Sequence, residues 1–413
     1  MSEPRRDTGT TGSDWRDRSL REQLAVLVAR GLHRRRRVVD AYAPDAGGVR
    51  ALVDGRDCIA FCSNDYLGHA QHPRVVEAFG QAATRWGVGS GASHLVTGHH
   101  AEHHALEEEL AAFTGRARAV LFSTGYMANL AVATALAGRG DLVVEDRLNH
   151  ASLIDAGLLA GARFVRYKHG DAEAARARLA AERTALRENA TAIVLTDGVF
   201  SMDGDLAPTP ALAAACREHR AWLAVDDAHG LGVLGARGGG TLEAQGCSAD
   251  DVPVLVGTLG KAFGTFGAFV AGSDALCELL VQTARTYIFT TALPPAVAAA
   301  TRASLALVRE EPWRRARVLE HVARFRAGAA QLGLAVLDSH TPIQPVILGT
   351  PAAAVAASAA LLTHGLLVPA IRPPTVPAGS SRLRITFSAA HTDEHVDRLL
   401  EALATLPRAT HAA

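Results

Sequence analysis

Short apolar runs bounded by turn residues recur through the middle of the chain, separated by stretches whose apolar residues fall at helical spacing. Runs of this length, rich in Val, Leu and Ala, fit strands buried on both faces. The pattern predicts strands at 119–122, 142–145, 163–167, 192–196, 222–225, 254–257 and 268–271. Helices are expected between several of them, at 127–136, 152–159, 172–186 and 210–219. Such alternation implies an α/β fold, a largely parallel sheet covered by helices on both faces. No helix is evident between the last two strands, so one of them is expected to run antiparallel. Upstream, Leu20, Leu24, Leu27 and Val28 recur at helical spacing within 15–30, and a basic run, 33–37, follows. Beyond Pro294-Pro295 come long Ala-, Arg- and Leu-rich helical stretches, then strands at 344–348 and 383–387 with helices at 352–364 and 393–406. The organisation expected is a disordered tail (1–14), an N-terminal helical segment (15–55), a large domain (56–300) and a smaller α+β domain (301–413).

Composition narrows the class. The 413 residues are 48% hydrophobic and 20% charged, which is enough apolar material for a buried core. Lys plus Arg and Asp plus Glu are both 42, so nothing in the net charge favours binding nucleic acid. No stretch reaches the ~18 uninterrupted apolar residues of a membrane-spanning helix, so no membrane association is expected. The five cysteines are irregularly spaced and form no C-x-x-C, which fits reduced thiols in a cytoplasmic protein.

Three motifs invite readings that the residues around them oppose. Gly230, Gly232 and Gly235 match G-x-G-x-x-G after a strand, but the glycine-rich 238–240 that follows cannot open a good helix. Gly260-Lys261 resembles the end of a P-loop, but Ala262 stands where Ser or Thr is required. His99/His103 and His100/His104 are i, i+4 pairs of potential metal ligands. The H-E-x-x-H order is absent and Glu107, Glu108 and Glu109 follow, so surface or core histidines are the preferred reading and no metal is expected.

Four features in one order point to chemistry. Ser123-Thr124-Gly125-Tyr126 ends a strand and opens a helix, where free N–H groups and the helix dipole can hold a phosphate. Asp226-Asp227-Ala228-His229 places a carboxylate and an imidazole at a strand's carboxyl end, where ligands bind in such sheets. Thr258-Leu259-Gly260-Lys261 supplies a lysine among small residues after the next strand, and His150 follows the strand 142–145 by a short loop. A lysine, a strand-end acid and a phosphate cradle are what pyridoxal 5′-phosphate (PLP) requires. The lysine forms a Schiff base with it, and the acid keeps its pyridine nitrogen protonated.

Further motifs extend this. Phe61-Cys62-Ser63-Asn64-Asp65-Tyr66-Leu67-Gly68, Gly89-Ser90-Gly91 and Thr196-Asp197-Gly198-Val199-Phe200-Ser201-Met202-Asp203-Gly204 join Val225-Asp226-Asp227-Ala228-His229-Gly230, Gly257-Thr258-Leu259-Gly260-Lys261 and Arg372-Pro373-Pro374-Thr375-Val376-Pro377. Together they resemble the α-oxoamine synthases, fold type I PLP enzymes of the aspartate aminotransferase-like class, over about residues 20–405. The departures are Cys62 for Ser, Ala92 for Gly, His94 for Arg and Gly260 for Ser.

The resemblance implies the following roles. Lys261 carries PLP and later moves the substrate Cα proton, Asp226 pairs with the pyridine N–H, His229 meets the phenolic oxygen and His150 stacks on the ring. Gly125, Tyr126 and Thr258 hold the phosphate, and Ser201 lies near the cofactor. Thr290 and Thr291 resemble phosphate contacts given by the second subunit of a homodimer. Arg384 matches the arginine that grips the amino-acid carboxylate. Arg34 and Thr375 match substrate-contacting positions, any of the neighbouring arginines up to Arg37 being an alternative to Arg34. The stiff proline-rich segment would present Arg372 and Thr375 to substrate. Its match is best to members that condense L-alanine with a pimeloyl thioester, carried on CoA or acyl carrier protein. Open at this point are a sibling condensation (5-aminolevulinate synthase, 2-amino-3-ketobutyrate CoA ligase or serine palmitoyltransferase type), a PLP aminotransferase, and a PLP-binding protein without turnover.

Overall fold

The computed structural model describes residues 14–30, 32–43, 47–184, 186–187 and 189–407. The expected tail lies outside them, apart from Asp14. The N-terminal part runs from helix α1 (Asp14–Ala29) through strands β1 (Val39–Tyr42), β2 (Arg50–Val53) and β3 (Arg56–Ala60) to helices α2 (Pro73–Trp86) and α3 (Ala101–Thr114). The centre alternates β4 (Arg118–Phe122), α4 (Gly125–Leu136), β5 (Leu142–Asp146), α5 (Ala151–Leu159), β6 (Arg163–Tyr167), α6 (Ala172–Arg183), β7 (Ala192–Asp197), α7 (Thr209–Glu218) and β8 (Trp222–Asp226). A short helix α8 (Gly240–Ala244) precedes β9 (Val254–Thr258) and β10 (Ala268–Gly272). Helices α9 (Asp274–Thr283), α10 (Arg285–Ile288), α11 (Pro295–Glu310) and α12 (Trp313–Gln331) follow. The C-terminal part is β11 (Ile343–Gly349), α13 (Pro351–Thr363), β12 (Leu366–Leu367), β13 (Ala370–Ile371), β14 (Ser381–Thr386) and α14 (Asp393–Ala404).

The large sheet has the order β4-β10-β9-β8-β7-β5-β6. Its inner strands are parallel, and β10 runs antiparallel to both β4 and β9, as the missing crossover helix requires. Strands β5, β7 and β10 are buried at every position, which explains why they read as continuous apolar runs and not as alternating ones. On one face they pack against α4, α5 and α9 through Val132, Leu153 and Leu276; on the other, α6 and α7 contribute Leu179 and Leu212. Covering both faces leaves ligand access at the strands' carboxyl ends.

The expected helical segment 15–55 needs correction: the helix stops at Ala29, and β1 and β2 follow, paired antiparallel with β3. These strands are short, β1 being exposed throughout and β2 on one face, so they give little apolar signal. Strand β3 pairs in parallel with β12, and Ile59 and Phe61 pack in a cluster with Phe325, Leu383, Phe387 and Leu399. The smaller unit therefore draws on both ends of the chain. Its other sheet, β11-β14-β13, carries Arg382 and Arg384 on β14 toward the large sheet. At Gly230–Gly235 the glycines make a turn, Gly232 and Gly235 having φ of 83° and 81°, and the helix that follows is only the short α8. No helix among the described residues is long and apolar enough to cross a membrane.

Candidate active site

The carboxyl ends of the central strands converge on one pocket floor. Asp226 closes β8 and is buried; its Oδ2 accepts a 2.6 Å hydrogen bond from Asn129 Nδ2, and its Oδ1 accepts the Ala228 N–H at 3.0 Å. Asn129 lies on the inner face of α4 and also donates to Ser152 Oγ at 2.9 Å. Ser152 Oγ in turn lies 2.7 Å from His150 Nδ1. His150 caps α5, and its backbone N–H donates to Asp197 Oδ2 at 2.7 Å. Four elements thus fix the positions of Asp226 and His150 through one polar chain.

A second chain starts at Lys261, in the loop after β9. Its Nζ is 2.8 Å from His229 Nε2, whose Nδ1 is 2.7 Å from the Tyr66 hydroxyl. Tyr66 donates to Asn64 Oδ1 at 3.2 Å. Asn64 Oδ1 also accepts from Arg384 Nη1 and Nη2 at 3.4 and 3.3 Å, while Arg384 Nε donates to Ser201 O at 2.6 Å. With Lys261 donating to Nε2, His229 carries its proton on Nδ1 and every donor in this chain has an acceptor.

Burial sets the charge states here. It lowers the Lys261 pKa to about 8, against the attraction of Asp226 and Asp197. It also depresses His229, assisted by Lys261, so this imidazole is neutral. Asp197 is raised, first by burial and then by the nearby Asp226 carboxylate.

The adjacent Asp227 faces elsewhere. Its Oδ2 accepts the Thr241 N–H at 2.7 Å, and Cβ atoms added at Gly198, Gly230 and Gly240 would lie 2.7, 2.1 and 1.9 Å from its carboxylate. Only glycine allows that approach, so Asp227 is enclosed by these three loops, and Asp226 is the candidate ring partner of the two.

The candidate anion cradle is the start of α4. Thr124 Oγ1 accepts the Met127 N–H at 3.2 Å, leaving the Gly125 and Tyr126 N–H groups of the first turn free of helix partners. A Cβ at Gly125 would meet nothing within 4 Å, so the side of the first turn at Gly125 is open. Thr258 Oγ1 donates to Gly267 O at 3.1 Å and sits beside Gly260 N. The Tyr126 hydroxyl is held by Asp155. An anion cradle, a buried lysine of lowered pKa and a carboxylate held at a strand end fit PLP at its phosphate, its carbonyl and its ring nitrogen.

At the outer side, Arg34 Nη2 donates to Thr375 Oγ1 at 3.3 Å, and Arg372 Nη2 donates to His33 O at 3.0 Å. Residues 341 positions apart in sequence, both expected at the substrate, therefore meet. Arg35, Arg36 and Arg37 are likewise exposed, and Arg37 pairs with Asp54. Among the described residues neither the Thr290 nor the Thr291 hydroxyl has a hydrogen-bond partner, and Thr291 forms a bridge with Ser93. Sequence reasoning gave no role to Asn64, Tyr66, Asn129, Ser152 or Asp197. Three of them stand inside quoted motifs, whereas Asn129 had only its position one helical turn past Gly125 as a signal.

The fold and this site define a PLP enzyme, and the comparisons agree: residues 56–403 match the model for aminotransferase class I and II, the family to which the chain belongs. The relatives are more specific. A protein of Methylococcus capsulatus named 8-amino-7-oxononanoate synthase is 64% identical over 92% of this chain and 96% of its own length. One of the same name from Thioalkalivibrio sulfidiphilus is 60% identical over 94% and 96%. Among solved structures, serine palmitoyltransferase of Sphingomonas wittichii aligns with a TM-score of 0.87, 34% identity, and 94% and 96% of the two chains. A serine palmitoyltransferase solved with PLP has a TM-score of 0.87, 31% identity and the same coverage. The 8-amino-7-oxononanoate synthase of Francisella tularensis has a TM-score of 0.71 and 30% identity over 84% and 97%.

Proposed function

We propose that the chain has 8-amino-7-oxononanoate synthase activity: it condenses L-alanine with a pimeloyl thioester, releasing CO2 and the free thiol carrier, as a step of biotin biosynthesis. The observation that carries this reading is 64% identity, over 92% of the chain, to a protein of that name. Identity to serine palmitoyltransferases is about half as high, although their backbones superpose well. A shared backbone does not fix the function, so the higher identity carries the choice between the two activities.

PLP, when bound, supplies an electron sink for negative charge on the Cα of an amino acid. The position of Asp226 supports a role in holding a proton on the ring nitrogen, with Asn129 fixing the carboxylate. His150, anchored through Asp197 and Ser152, supports a role as the face against the ring. Lys261, with its pKa near 8, exchanges protons close to neutral pH and supports a role in taking and returning the Cα proton. His229 and Tyr66 extend that proton path. Arg384 offers a guanidinium fork with only long contacts to Asn64, suited to an amino-acid carboxylate. Arg34, Arg372 and Thr375 are suited to the far end of a pimeloyl group, which carries a carboxylate or an ester.

Thr290 and Thr291, whose hydroxyls have no hydrogen-bond partner among the described residues, support a homodimer in which each subunit completes the other's phosphate site. Five unpaired cysteines support a reducing, cytoplasmic setting. The test is a product assay of L-alanine, glycine, L-serine and L-threonine against pimeloyl, succinyl, acetyl and palmitoyl thioesters, on both CoA and acyl carrier protein. L-alanine with the pimeloyl thioester should be fastest. Faster turnover of L-serine with palmitoyl-CoA, or glycine with succinyl-CoA, would reassign the chain to a sibling activity.

A further inference from the structure

The histidine-rich stretch at the start of α3 takes no part in the site above. His103 is fully committed: its Nδ1 accepts the His100 N–H at 2.9 Å, and its Nε2 donates to Leu293 O at 2.7 Å. The others face a cavity of about 310 Å³ whose lining includes His94, His99, His104 and Glu107. One ligand atom from each of His99, His104 and Glu107 lies within 4.8 Å of the other two. His99 Nε2 is 3.9 Å from Glu107 Oε2. Bonds of about 2.0–2.1 Å to one tetrahedral ion place ligand atoms roughly 3.4 Å apart, so small side-chain rotations close the set.

We propose that His99, His104 and Glu107 bind a divalent transition ion of the Zn²⁺ type, with His94 as the hydrogen-bond partner behind His99 and the fourth position open to the cavity. Two imidazoles and one carboxylate are a donor set suited to such an ion. The groups that hold these ligands are already in place. His94 is stacked on Tyr287, with ring centroids 4.9 Å apart and planes at 9°, and its Nδ1 lies 2.9 Å from His99 Nδ1. With His94 as acceptor, the His99 proton sits on Nδ1 and the Nε2 lone pair is left for the ion. Glu107 Oε1 accepts the Leu121 N–H at 2.9 Å, which fixes the carboxylate and leaves Oε2 toward His99. The adverse charge nearby is Arg118, and it is paired with Glu278 at 2.8 Å.

The probe is Zn²⁺ alone, titrated into tag-free holoenzyme stripped with a chelator, and Co²⁺ followed by its visible ligand-field bands. One ion per chain should bind saturably, and Co²⁺ should give the intense bands of a tetrahedral site. Glu107→Gln keeps the acceptor for Leu121, and His104→Ala alters an exposed side chain, so both should fold. Each should weaken binding at least ~10-fold, as should His94→Phe through loss of the acceptor behind His99. No saturable binding up to about millimolar Zn²⁺, or unchanged affinity in either the Glu107→Gln or the His104→Ala protein, overturns the site.

Discussion

At the scale of single residues, the site depends on two groups whose protons are set by their surroundings. Lys261 is buried and its pKa falls to about 8 from the usual lysine range. Only the neutral amine attacks a carbonyl, so PLP loading of the apoprotein should quicken about tenfold per pH unit below that value and level off above it. Stopped-flow absorbance during loading checks the slope, and reduction of the loaded protein with borohydride should leave the pyridoxyl label on Lys261. A pH-independent rate, or a label on another lysine, removes the central assignment. Asp226→Asn is isosteric but has one acceptor oxygen, so it keeps only one of the hydrogen bonds from Asn129 and Ala228, and it cannot balance a positive ring nitrogen. The variant should still bind PLP while kcat falls by about 10²–10³-fold. The enclosure of Asp227 by Gly198, Gly230 and Gly240 argues against its substituting for Asp226.

At the scale of elements, the loop after β7 that carries Ser201 is held by His169, which bridges Asp146 at the end of β5 and Asp205 at 2.9 Å each. Burial alone would lower the His169 pKa, but hydrogen bonds to the two carboxylates outweigh it and raise it to about 10. A histidine whose folded pKa is raised contributes stability that is fully present below its unfolded value, near 6.5, and is lost as pH rises through about 10. His169→Gln should therefore lose about 2 kcal/mol near pH 6, and the gap to the parent should narrow toward pH 10. Denaturant melts at several pH values check this; a constant gap would mean that His169 stays neutral in the folded protein. The central strands and their helices were legible in the sequence because burial on both faces leaves uninterrupted apolar runs. The antiparallel β10 was legible because a parallel neighbour needs a crossover that the chain does not provide. Strands β1 and β2 were not, being four residues each, the first exposed throughout and the second on one face. In the site, Lys261 and Asp226 were legible because both follow strands and have no structural use for their charge. Asn129 and Tyr66 were not, because their value lies in contacts made across the fold to Asp226 and His229.

At the scale of the whole molecule, several features ask for a second copy of the chain. Helix α1 exposes Leu20, Leu24 and Val28, and Phe289 stands exposed beside Thr290 and Thr291. Among the described residues neither threonine hydroxyl has a hydrogen-bond partner. If a two-fold axis brings each pair to the partner's phosphate site, every active site is made from two chains. Mixing a Lys261→Ala chain with a Thr290→Ala/Thr291→Ala chain separates the contributions. Each homodimer lacks one essential set, and in the hybrid one site loses both. The other combines Lys261 of the threonine variant with the intact threonines of the lysine variant, and is complete. Hybrids purified by two different tags should therefore regain about one working site per dimer, and PLP affinity at that site should match the parent. Hybrids that form but stay inactive would place the threonines in the same subunit's site or outside catalysis, while a monomer of full activity in sedimentation and assay would remove the shared site altogether.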